Sequence, residues 1–283
     1  ISSLRVDCVG ILVRENSEDK KVAESEGLVY TSYNLAWLIG PIIAGFISSR
    51  YDLNKLFLFA AFTVFISLML FKSLKIKEQK YRKHIDKNMF KVIKEFFRKK
   101  DRRDAYIVSG GMNFWWALIY TYIPMQMVDN GLSEAMVGYF LAAVIIPLIL
   151  TEYYFGKLSE KKGFKKIFVI GYLILAASAV TSFFVPNLYL ILLVLSLASF
   201  GAGMIESTTE AYFFDVITKK QREKYYGIYN TTIDVNIFFA TGVSALLLLF
   251  LPFRFIFILF AAVMLMFAIK SSRIRNVIED KRH

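Results

Sequence analysis

The chain has 283 residues, 56% of them apolar, and carries 35 Lys and Arg against 23 Asp and Glu for a net charge of +12. The apolar excess over the about 45–50% of ordinary soluble domains falls in blocks of about 20 residues, the helix length that crosses roughly 30 Å of hydrocarbon. Basic residues between such blocks set membrane topology and speak against a nucleic-acid role; a single cysteine, Cys8, and two distant histidines, His84 and His283, leave no disulfide, no metal site and no implied cofactor.

Residues 1–13 read as the last turns of a hydrophobic helix, with nothing resembling a signal peptide, so the N-terminus reads as cut. A charged stretch to about Glu26 follows. The first complete span is expected over 27–48 and the second over 55–73. The longest polar segment, 72–104, comes next. Within it Met89, Phe90, Ile93, Phe96 and Phe97 recur at helical spacing among Lys91, Lys94, Arg98, Lys99 and Lys100, which predicts an amphipathic helix on the inner membrane face. Spans three and four are expected over 105–128 and 134–155, joined at Asp129-Asn-Gly131. A basic loop, 156–166, precedes span five at 167–185, and Pro186-Asn187 turns into span six at 188–214. A second basic loop, 218–224, leads to span seven at 225–250, and Leu251-Pro-Phe253 to span eight at 254–269.

Of the 35 Lys and Arg, 31 lie in connectors on one side of this alternation, leaving Arg5 in the stub and Arg50, Lys55 and Arg254 on the other side. The positive-inside rule assigns the 31-residue side, with the C-terminus, to the cytoplasm of a plasma-membrane protein.

The sequence also repeats. Gly27-Leu-Val-Tyr-Thr-Ser-Tyr-Asn34 resembles Gly227-Ile-Tyr-Asn-Thr-Thr-Ile-Asp234, 200 residues later. Glu15 pairs with Asp215 at the same offset, and Phe59-Ala-Ala61 matches Phe260-Ala-Ala262 after a one-residue slip. Read as a duplication, this offset implies a parent of twelve helices in two sixes, with roughly 95–100 residues upstream of Ile1.

After span four, Gly156-Lys-Leu-Ser-Glu160-Lys161-Lys-Gly163-Phe-Lys165-Lys166 resembles motif A of the major facilitator superfamily, with Glu160 for the usual Asp. Its glycines permit a tight turn, and its carboxylate and cations suit a latch between helix ends. Gly40-Pro41-Ile-Ile-Ala44-Gly45 is similar to motif C of the superfamily's antiporters, with Ala44 in place of a glycine. Arg5-Val-Asp-Cys-Val-Gly10 does not keep the spacing of motif B, so no role transfers there. The resemblance implies an all-α integral membrane bundle of about eight complete helices. Residues 1–74 would end the first six-helix half, 75–104 would be the cytoplasmic linker, 105–270 the second half and 271–283 a tail. It further implies non-enzymatic, secondary active transport of a small solute by alternating access, coupled to protons or another ion, of symporter or antiporter/efflux type, by a monomer.

Charge inside a bilayer is costly, so each such residue needs a reason. Glu206 and Glu210 lie one turn apart on span six, about 13 Å and 7 Å from its end at Asp215. Asp234 is similarly deep in span seven, and Arg5 and Asp7 are buried if the stub is helical. These five are the coupling candidates, because burial makes a carboxylate easier to protonate. The other reading pairs the acids with Arg5 or nearby hydroxyls as helix glue. Glu152, one turn before Gly156, is expected to support the motif A turn. Asn34, Asn113, Trp116, Tyr120 and Asn236 are cleft-lining candidates, with packing as the alternative. A membrane-embedded enzyme finds no HExxH or Gly-x-Ser-x-Gly pattern in support. A receptor or scaffold of the same fold remains the alternative to transport.

Overall fold

The structure, a computed structural model, describes residues 22–73 and 89–277, with side chains from Ser32 onward except those of Glu160, Lys219, Lys220 and Glu223. Arg5 and Asp7 lie outside the described residues. Among those described, every regular element is helical: α1 (Val22–Arg50), α2 (Leu53–Ser73), α3 (Met89–Arg98), α4 (Lys100–Ala117), a π-helical turn (Leu118–Tyr122), α5 (Ile123–Asp129), α6 (Glu134–Lys162), α7 (Phe164–Phe184), α8 (Leu188–Asp215), α9 (Lys219–Leu248) and α10 (Phe255–Ser271). Each of the eight expected spans lies on one of these, overrunning its helix by at most two residues, the third as the run α4–π turn–α5. Among the described residues, five helices are long and apolar enough to cross a membrane on their own: α2, α7, α8 and most of α6 and α9.

Local chemistry sets the boundaries. Ser133 caps α6 by accepting from the Met136 N–H, and Asn187 caps α8 by accepting from the Leu190 N–H. The Thr218–Gln221 capping box starts α9 six residues before the span expected at Tyr225. The basic stretch 219–224 is thus the first turns of a helix. The stretch 156–162 is helical too. No proline interrupts it, and α6 runs on until Gly163, whose φ of +82° ends one helix and starts the next. The π turn precedes Pro124, which has no N–H for the Tyr120 carbonyl and whose ring would crowd it, so the backbone widens there.

The bundle is built by close crossings. α7 packs on α8 and α10, α8 on α6 and α4, and α4 on α9 and α10. At the α7–α8 crossing, a Cβ on Gly171 would lie 2.8 Å from the Gly201 carbonyl and one on Gly201 2.9 Å from that of Gly171, so only hydrogen fits between the backbones. The large buried side chains Trp115, Phe168, Tyr172, Phe213 and Phe260 fill the interior around these contacts. α1 packs on α6, and α2 lies on α1 with no buried residue of its own.

The short helix α3 packs part of its apolar surface on the bundle. Val92 and Phe96 are buried against the bundle, and Phe96 meets Phe97, Tyr106, Phe213 and Tyr225 with ring centroids 5.0–6.4 Å apart. Met89 and Phe90 are exposed at 72% and 85%. The helix therefore has two apolar faces, one docked on protein and one left outside.

Candidate functional site

Glu206 sits on α8 three residues after Gly203. A Cβ at Gly203 would come 2.5 Å from the Thr151 hydroxyl, so α6 and α8 touch at this level. The next residue of α6 is Glu152, and the two carboxylates are close enough for their charges to interact. Glu206 is exposed on its helix face and accepts a 2.8 Å hydrogen bond from Trp116 Nε1 of α4. Glu152 accepts from Asn34 Nδ2 of α1 at 3.3 Å. The aromatic rings continue the arrangement: Trp116 meets Tyr120 at 5.2 Å between centroids, and Tyr120 meets Trp37 of α1 at 5.3 Å. Four helices thus bring two acids, three aromatic rings and one amide together.

Of the residues expected in the site, the structure gathers Asn34, Trp116, Tyr120 and Glu206. The expected support of the motif A turn by Glu152 gives way to a contact with α1. That residue and Trp37 were missed as site members. The signal for Glu152 was present, since any acid more than a turn inside a span needs a partner.

The other candidates lie elsewhere. Glu210 accepts a 2.5 Å hydrogen bond from the Tyr226 hydroxyl of α9, beside the Phe213–Tyr229 stack at 4.0 Å. Asp234 is exposed on α9. Asn236 does not join the acidic and aromatic group: it bonds back to the Thr232 carbonyl and hydroxyl and packs on Gly110 of α4. Asn113 is half-buried and bonds the Ser109 carbonyl of its own helix.

In the stretch resembling motif A, the Gly163 N–H donates to the Ser159 carbonyl at 2.8 Å, and its Cα packs on the Asn276 side chain. Gly156 lies within α6, with open space where a Cβ would go. Lys161 and Lys166 are exposed and Lys165 half-buried, while the Glu160 side chain lies outside the described residues. Ion pairs at the same, basic end of the bundle come from other residues: Lys270 Nζ to the buried Asp104 at 2.6 Å, Arg275 to Asp101 at 3.5 Å and Lys224 to Glu95 at 2.8 Å. In the stretch resembling motif C, Gly45 does the close packing. A Cβ there would come 2.5 Å from the Glu134 carbonyl, and Gly138 sits against the Pro41 carbonyl in return. Gly40 has open space around it and takes no part.

Carboxylates flanked by aromatic faces bind positive charge in two ways, by direct attraction and through the ring quadrupoles. They also hold a proton. Among the described residues no three His, Cys, Asp or Glu side chains converge to hold a metal ion.

Comparison with known proteins places this chain in a family. The chain is similar to an uncharacterised MFS-type transporter of Methanocaldococcus jannaschii, 22% identical over 227 residues that make up 77% of this chain and 57% of that protein. It is also similar to Multidrug resistance protein 2 of Bacillus subtilis, 28% identical over 160 residues, or 55% of this chain and 40% of that protein. The chain spans about half the length of these relatives. The family profile of the Major Facilitator Superfamily matches residues 105–276, from the apolar part of α4 to just beyond α10. With its multi-pass helical bundle, the chain belongs to the Major Facilitator Superfamily.

Proposed function

We propose that this chain is the greater part of a secondary active transporter that exchanges protons for an amphipathic organic cation by alternating access. The observation that carries this reading is the acidic and aromatic group: Glu206 and Glu152 on packed helices within range of each other's charge, with Trp116, Tyr120 and Trp37 near them. Two neighbouring carboxylates repel each other, and either a proton or an organic cation relieves that repulsion. One site that holds one or the other, in turn, is the minimum device for exchange. The aromatic rings suit a ligand that is large and apolar apart from its charge. The name of the Bacillus subtilis relative, Multidrug resistance protein 2, supports a drug-like substrate.

The site draws on α1 as well as α4, α6 and α8, so it spans the proposed junction between residues 1–74 and the second half, 105–270. Alternating access would open and close that junction, with the tight α1–α6 crossing at Gly45 and Gly138 as its pivot. The basic connectors and the C-terminus would face the cytoplasm.

The test is proton-driven counterflow of a lipophilic cation such as tetraphenylphosphonium in proteoliposomes, using the whole protein that contains this chain. Glu206→Gln is expected to lower it by more than about tenfold, because it removes the carboxylate that takes up the proton or the cation. Unchanged proton-driven flux in that variant would remove Glu206 and the acidic pair from the mechanism.

A further inference from the structure

At the basic end of the bundle, α3 and the start of α4 border a cavity of about 440 Å³ lined by Glu95, Arg98, Lys99, Arg102 and Gln221. Three cations face one carboxylate, and that carboxylate is already engaged. Glu95 accepts from Lys224 Nζ at 2.8 Å and from the Tyr225 hydroxyl at 2.6 Å. Arg102 is only 4% exposed. Its guanidinium lies 4.3 Å from the Tyr225 ring centroid and donates to the Glu95 carbonyl at 2.7 Å, while its Nε has no partner. A nearly buried guanidinium that lines a cavity together with two further cations suits an anion. Arg98 and Lys99 are exposed beside it.

The position of the cavity narrows the choice of anion. The apolar part of α4 begins at Ala105, three residues or about 4.5 Å beyond Arg102, which puts the cavity at the depth of lipid headgroups. Helix α3 also leaves Met89, Phe90 and Ile93 exposed next to Lys91 and Lys94, the surface of a segment that rests on a charged bilayer. We propose that this cavity binds the phosphate of an anionic phospholipid headgroup, with Arg102 as the inner charge and Arg98 and Lys99 as the outer ones. The bound lipid joins the linker helix to the first turns of α4 and α9. This site is separate from the acidic and aromatic group and does not depend on transport.

The experiment uses the whole protein that contains this chain, in detergent micelles, and measures thermal stabilisation by dioctanoyl phosphatidylglycerol, dioctanoyl phosphatidylcholine and inorganic phosphate. Phosphatidylglycerol is expected to raise the unfolding temperature in a saturable way, and the other two are not. The double variant Arg98→Gln/Lys99→Gln, whose side chains are exposed and so spare the fold, is expected to bind at least about tenfold more weakly. A control with Lys162→Gln/Arg273→Gln, which removes the same charge elsewhere, keeps wild-type affinity. Equal loss in the control, no loss in the Arg98/Lys99 variant, or no stabilisation by phosphatidylglycerol each overturns the proposal. Stabilisation by inorganic phosphate alone also overturns it, in favour of a soluble anion.

Discussion

Gly156 and Gly163 belong to one basic stretch of sequence, yet the backbone needs only one of them. Gly163 adopts φ +82°, ψ +148°, a region that side chains exclude, and a Cβ there would strike Asn276. Gly156 is an ordinary helical residue with room for a methyl group. Gly163→Ala is therefore expected to destabilise the chain by about 1–3 kcal/mol. Gly156→Ala is expected to be neutral or to stabilise by up to about 1 kcal/mol, since alanine is the better helix former. Thermal unfolding of the two variants in the same detergent checks this, and equal damage from both would contradict it. The pattern of glycines and charges was legible in the sequence; which glycine turns the chain was not. That depends on Asn276, a residue more than a hundred positions away that packs across the turn. The same is true of Glu152. Its depth inside a span was visible, but its hydrogen bond to Asn34 required knowing that α1 lies against α6.

Helix α3 shows how element-level periodicity underdetermines orientation. The spacing of Met89, Phe90, Ile93, Phe96 and Phe97 announced a helix, and a helix forms. Apolar periodicity alone does not say whether a face meets lipid or protein, and here Phe96 meets protein. A polar contact adds to that docking: Glu95 is held by Lys224 and Tyr225, and those hydrogen bonds lower its pKa from an ordinary 4.5 to about 2. A depressed carboxylate pKa contributes stability that is complete above about pH 4.5 and is lost as the pH falls toward 2. A fluorescent label on Met89→Cys should report an α3 that stays docked from pH 8 to 5 and loosens only below about 4.5. Glu95→Gln should loosen it already at pH 7. A transition centred between pH 6 and 7, or a Glu95→Gln protein as tightly docked as its parent, would contradict this account. The membrane helices were easier to read, because a block of about 20 apolar residues has few alternatives to spanning a bilayer. Their ends were harder, since α6 and α9 carry charged turns that continue the helix past the apolar block.

At the scale of the molecule, the helices that form the bundle also place the site. Packing of α6 on α8 at Gly203 brings together the helices that carry the two acids, packing of α1 on α6 adds Asn34 and Trp37, and α4 and its π turn contribute Trp116 and Tyr120. None of these contacts joins residues that are neighbours in sequence, which is why the site had to be read from the fold. The family could be recognised from a few short stretches, in which two glycines, Gly45 and Gly163, sit where a side chain would collide. All three tryptophans of the chain lie at or beside the site: Trp37 and Trp116 in it, and Trp115 buried next to Trp116. Intrinsic fluorescence therefore reports ligand binding there without a label. In lipid nanodiscs, titration with tetraphenylphosphonium is expected to quench or shift this emission saturably in the parent protein. The Glu206→Gln/Glu152→Gln protein is expected to bind at least about tenfold more weakly. Binding of equal strength in the double variant, or a parent protein whose emission the cation leaves unchanged, would contradict a cation site at the acidic pair.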